Sequence, residues 1–167
     1  MMYCGKVGSA PLQQLLGRYG LTVAWVAAGV SIPGSHFGDP EAGLIGDKLL
    51  VRDDTPLHSA LHEACHFVCM DDPRRATLHT DAGGDYDEES GVCYLQILLS
   101  DFIDGMGREK AFSDMDAWGY SFRLGSSRRW FYEDAEDARM WLLRHQLITA
   151  AGEPTWQVRD RLSVLTR

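Results

Sequence analysis

Residues 55–70 read Thr-Pro-Leu-His-Ser-Ala-Leu-His-Glu-Ala-Cys-His-Phe-Val-Cys-Met. Thr55 followed by Pro56 is a helix start: a hydroxyl at the N-cap, then a proline at the first helical position, where its missing N–H costs nothing. The helix is predicted to run to about Met70, where Asp71, Asp72 and Pro73 stop it. Inside it, His62-Glu63-Ala64-Cys65-His66 forms the pattern HExxH. Residues i and i+4 lie one above the other on a helix face, so both imidazoles can point at one metal ion. Glu63 projects beside that point and can take a proton from a bound water. Zinc needs three protein ligands for catalysis, the fourth position being left to water. The expectation is therefore one Zn²⁺ per chain, held by His62 and His66, with Glu63 as general base.

Working outward, Pro11 to Tyr19 has helical character, with Leu12, Leu15 and Leu16 on one face. Leu21 to Ile32, rich in Val and Ala and bounded by Gly20 and Pro33, reads as a buried strand, and residues 33–43 as a loop. Leu44 to Val51 is a second strand candidate, interrupted by Gly46 and Asp47 as a tight turn or bulge. After a polar loop over residues 74–87, a second helix is expected to open in the cluster Asp85, Asp87, Glu88, Glu89, which suits the positive end of a helix dipole. It continues through Val92, Leu95, Leu98 and Leu99 to Asp104. Ser126 or Ser127 caps a further helical segment carrying Trp130, Phe131, Ala138, Trp141, Leu142 and His145, whereas Trp118, Tyr120 and Phe122 read as a short strand or an aromatic loop. The fold class is α+β, a small N-terminal sheet packed against several helices. We read residues 1–167 as one domain, with a core over about residues 20–104 and a helical, aromatic extension over residues 105–167.

Composition narrows the function classes. The chain is 45% hydrophobic and 24% charged, as ordinary globular proteins are. Sixteen Lys and Arg against 24 Asp and Glu give a net charge of −8, which disfavours nucleic acid as a partner, since phosphate binding depends on Lys and Arg. The longest apolar stretch, Leu21 to Val30, falls short of the roughly 20 residues of a membrane span and runs into Pro33 and Gly34. Four cysteines without a CxxC pair make no disulfide scaffold. The expectation is a reduced, cytoplasmic protein with no membrane partner; the sequence does not specify an oligomeric state.

The third ligand decides the class of site. A metzincin arrangement would need Gly at position 69 and His at 72, where this chain has Cys69 and Asp72; aspartate is a known variant there. The other solution is a glutamate from the following helix, Glu88 or Glu89. Adjacent helical residues point about 100° apart, so both cannot face the ion. Leu95 and Leu99, near two and three whole turns after Glu88, align it with an apolar face, and Gly91 would let the two helices approach. Glu89 aligns with Val92, Cys93 and Gln96, a face that turns polar. Helical phase thus favours Glu88, with Glu89 and Asp72 as alternatives. His58, one turn before His62, reads as a solvated or supporting residue, and Cys65, Cys69 and Cys93 as small core hydrophobes.

A strand over Leu44 to Val51, the HExxH helix, a polar loop, then Glu88 followed by Gly91, Tyr94, Leu98 and Leu99 resembles the ImmA/IrrE-type metallopeptidase domain over about residues 44–100. That resemblance implies a gluzincin-like zinc peptidase, with Glu88 on the ligand position and a peptide or protein as substrate. The family often shows Met-Pro after the Leu-Leu pair, where Ser100 and Asp101 stand here. His79, Tyr86 and Tyr120 are candidates to assist the developing oxyanion. Two rival readings come from other classes. One is a non-catalytic, zinc-stabilised interaction protein; the other is a binding module using Trp118, Tyr120, Trp130, Phe131, Tyr132 and Trp141.

Overall fold

A computed structural model describes residues 1–34 and 39–160, so Gly38 of the expected loop lies outside the described residues. The N-terminal segment forms a short helix α1 (Cys4–Val7) and then α2 (Ser9–Gly17), which buries Leu12, Leu15 and Leu16 on one face. The sheet has three strands, β1 (Thr22–Trp25), β2 (Gly43–Ile45) and β3 (Lys48–Val51), in the order β1-β3-β2. β1 runs parallel to β3, pairing Thr22 with Lys48 through Trp25 with Val51. The expected strand to Ile32 therefore ends early: β3 stops at Val51, and the chain beyond Val26 leaves the sheet, turning at Ala27 to Val30. The interruption at Gly46 and Asp47 is a hairpin turn joining β2 to antiparallel β3, with Gly46 at φ +57°. A side chain rarely adopts that conformation, and primed hairpin turns require it.

Helix α3 (Leu57–Cys69) carries HExxH and packs on β2, β3 and α5. Its start differs from expectation. Thr55 does not cap it; the buried hydroxyl accepts the Arg52 N–H at 2.8 Å, and Pro56 holds the N-cap position. Asp71 ends α3 and also caps the next helix, α4 (Asp72–Ala76), by accepting the Arg74 N–H at 3.0 Å. α5 (Tyr86–Ser100) opens as the acidic cluster suggests, with Asp85 accepting the Glu88 N–H at 2.9 Å. It stops at Ser100, short of Asp104. The chain continues as α6 (Gly107–Trp118), which the sequence reading did not anticipate, then α7 (Ser127–Glu133), capped by Ser126, and α8 (Glu136–Arg144).

The architecture is α+β: a small sheet packed against several helices. α5 is its axis, lying against α3, α6 and α8 and buried at every position from Gly91 to Ser100. A contiguous buried cluster reaches from Met2 to Val158. It takes in Trp130, Phe131 and Trp141, so these aromatics of the C-terminal third are core, while Trp118 and Tyr132 are exposed. Among the described residues no helix is long and apolar enough to cross a membrane.

Gly91 was expected to bring the two acidic- and histidine-bearing helices together. Its bare face instead meets α8, where a Cβ would stand 2.7 Å from Cε3 of Trp141. Gly91→Ala should therefore destabilise the fold by about 1–3 kcal/mol of overpacking, less the ~1 kcal/mol that alanine gains in a helix. Urea unfolding of this variant, alone and with Trp141→Phe, checks the contact; an effect of Gly91→Ala that is unchanged in the Trp141→Phe background would exclude it.

Candidate metal centre

Helical spacing stacks His62 over His66 on α3, with ring centroids 4.8 Å apart. Both rings turn toward α5, where they meet one carboxylate: Nε2 of His62 lies 3.1 Å from Oε1 of Glu89, and Nε2 of His66 lies 3.0 Å from Oε2. One ligand atom from each of the three residues falls within 4.8 Å of the others. Two imidazoles and a carboxylate are a donor set that zinc accepts, and their convergence from two helices fits a single ion. Burial opposes charge on His62, but Cys93 and Glu89 beside it raise its pKa well above the ordinary value. Burial likewise raises Glu89, yet hydrogen bonds from the two histidines hold its carboxyl far below the usual range. A proton and a metal ion thus compete for the same Nε2 lone pairs.

Glu88, the expected third ligand, does not converge with the two histidines. Glu88 is 2% exposed and turned away from the histidines. Its Oε1 accepts from Nη1 of Arg74 at 2.9 Å and from Nη1 of Arg159 at 3.0 Å, and its Oε2 accepts from Nη2 of Arg74. The phase argument failed because α5 is buried almost all round. Its apolar residues therefore mark contacts with α8 and α6 as well as α3, and they single out no face. Asp72 sits at the start of α4 against Arg75 and is outside the cluster. Cys65 and Cys69 are fully buried, which pushes both thiols up.

Gln96 is the residue the sequence reading passed over. It lies seven positions after Glu89, on the same face of α5, and is 1% exposed. Its Nε2 donates to the backbone carbonyl of His58 at 3.1 Å, an acceptor only, so its Oε1 must face Nδ1 of His62, 2.7 Å away. Nδ1 then carries a hydrogen, leaving the Nε2 lone pair as the one that could coordinate an ion. A lone glutamine inside the apolar run from Val92 to Leu99 was the available signal.

Of the three candidate oxyanion partners, only Tyr120 lies beside the cluster. Its ring is 5.7 Å from that of His62, and its hydroxyl lies 3.2 Å from Nδ1 of His58 and 3.4 Å from Nε2 of Gln96. Burial raises its phenol above the ordinary range. His79 is exposed and bridges to Ile45, and Tyr86 is exposed at the start of α5. Tyr86, Glu89, Cys93, Tyr120, Phe122 and Trp130 are among the residues lining a cavity of about 250 Å³, which reaches the cluster at Glu89. No known protein family, curated protein or solved structure matches this chain.

The two adjacent glutamates separate cleanly by experiment. Glu89→Ala should abolish stoichiometric metal binding while the fold persists. Glu88→Ala should keep the ligands but cost about 3 kcal/mol of stability, because two arginines lose a buried counter-charge. Metal content and urea unfolding of both variants check this; metal loss confined to Glu88→Ala would reverse the assignment.

His58 supplies a pH test. Burial is the main cause holding its imidazole down to about 4, with Asp114 opposing the shift and His62 adding to it. The unfolded chain takes up this proton near pH 6.5 and the folded chain only near 4. The stability of neutral burial is thus fully present above 6.5 and lost as pH falls toward 4, by up to about 3 kcal/mol. In metal-free protein, His58→Leu should flatten the fall in unfolding free energy between pH 7 and 4.5; an unchanged slope would exclude a neutral buried His58.

Proposed function

We propose that this protein is a zinc-dependent hydrolase that cleaves amide bonds in a peptide or protein, with His62, His66 and Glu89 as ligands and Glu63 as general base. The reading is supported above all by the meeting of both HExxH imidazoles on the two oxygens of one carboxylate. The order of strand hairpin, HExxH helix and acidic helix is similar to that of the ImmA/IrrE-type domain, though here the converging glutamate is one residue later than its pattern marks. When bound, zinc would supply Lewis-acid polarisation of the scissile carbonyl and a water acidic enough to ionise near neutral pH.

The chain's own residues supply the rest. Burial lifts the Glu63 carboxyl above the ordinary range, while His62 and His66 pull it back. A carboxylate so tuned is the better base at neutral pH. Glu63 takes a proton from the attacking water as its oxygen bonds to the carbonyl carbon, then delivers that proton to the departing amine nitrogen as the C–N bond breaks. Tyr120 is the side chain we assign to the developing oxyanion. Gln96 keeps His62 in the tautomer that leaves Nε2 free.

Purified protein should hold one zinc per chain by elemental analysis. Glu63→Gln should keep that zinc and lose roughly 10²–10⁴-fold in cleavage of a mixed peptide library, since the amide cannot accept the proton. Zinc loss in Glu63→Gln would overturn its role as base, and zinc-free parent protein would overturn the centre.

A further inference from the structure

We propose that Cys93 is a fourth ligand of the ion held by His62, His66 and Glu89, so that the resting centre is closed by a thiolate. The inference rests on the reading of that cluster as a zinc centre and adds a regulatory state to it. Cys93 follows Glu89 by one turn of α5, as His66 follows His62 by one turn of α3. Two packed helices thus present two i, i+4 pairs to each other. Sγ of Cys93 is 4.0 Å from Oε1 of Glu89, the same oxygen that lies 3.1 Å from Nε2 of His62. The thiol is 7% exposed and lines the same cavity as Glu89, so its Sγ has room to turn about χ1 beside that carboxylate. Cys65 and Cys69 lack this position: they have no exposed surface and do not line that cavity.

Thiolate is a preferred zinc ligand, and four protein ligands make a closed centre where three leave room for water. Closure forms an S–Zn bond and breaks the S–H bond. The thiol proton passes to water in the cavity, and no electron changes hands. Water and the Cys93 thiolate would then compete for the fourth position, and hydrolysis proceeds in the fraction of molecules where water holds it.

Cobalt(II) in place of zinc in the full chain reports the ligand directly. The loaded protein should show the intense near-ultraviolet charge-transfer absorption of a thiolate–cobalt bond, lost in Cys93→Ser and retained in Cys65→Ser and Cys69→Ser. The parent spectrum decides first, whatever the stability of the variants. Stoichiometric cobalt without that absorption would overturn closure by Cys93 and leave the three-ligand centre standing. Absorption that survives Cys93→Ser would overturn it as well. Failure to bind cobalt or zinc at all would remove the centre and the proposal together.

Discussion

The structure depends on one geometric constraint: two neighbouring carboxylates on the buried helix α5 must point about 100° apart. Glu88 turns into the protein and is held by Arg74 and Arg159; Glu89 turns toward α3 and meets both imidazoles. A buried carboxylate without a counter-charge is strongly unfavourable, so Glu88 demands its two arginines, whereas Glu89 is 46% exposed at its side chain and stays partly open to solvent beside the imidazoles. Glu88 fixes the rotation of α5 about its axis. With that rotation fixed, Glu89, Cys93 and Gln96 fall on the face that α3 presents with His58, His62 and His66.

The C-terminal third belongs to this arrangement. Arg159 reaches Glu88, its N–H donates to the Val68 carbonyl at 2.9 Å, and its Nη1 donates to the Cys69 carbonyl at 3.3 Å. Arg75 donates to the carbonyls of Phe67 and Met70 and to that of Arg159. The last carbonyls of a helix have no partner of their own, and here two arginines and a distant segment of chain satisfy them. The end of the HExxH helix is thereby tied to residue 159, far outside the segment on which the sequence resemblance rested.

Local patterns were legible and rotational ones were not. The HExxH spacing, the stop near Asp71, the opening of α5 in the acidic cluster from Asp85 and the glycine turn at Gly46 all follow from chemistry within a few residues, and each stands where the sequence puts it. The choice between Glu88 and Glu89 depends on which neighbour each face of α5 meets. A helix covered on nearly all sides carries no apolar stripe from which to read that. Gly91 misled for the same reason: its small side marks a close approach, but to Trp141 of α8. The sheet was overestimated because a strand's length is set by its partner, and β3 is only four residues long. Arg74, Arg75 and Arg159 carry no motif at all; their roles appear only once residues 67–88 and 159 are brought together.

The same electrostatics couples the site to the fold. Glu88 has permanent cations, since guanidinium stays charged at any pH a protein tolerates. Glu89 has only imidazoles, whose charge depends on a proton at Nε2, the atom that Gln96 leaves free on His62. In the metal-free protein, against the effect of burial, Cys93 and Glu89 shift His62 up, and the hydrogen bonds from the two imidazoles shift Glu89 down. An ion bound to the cluster would take over the balancing role and release the proton, so its affinity must weaken as acidity rises. Because such a ligand binds the folded chain in preference to the unfolded one, its binding energy adds to the stability of the α3–α5 contact. One carboxylate therefore ties the helix to permanent cations, and its neighbour would make the same packing responsive to a bound ion and to protons.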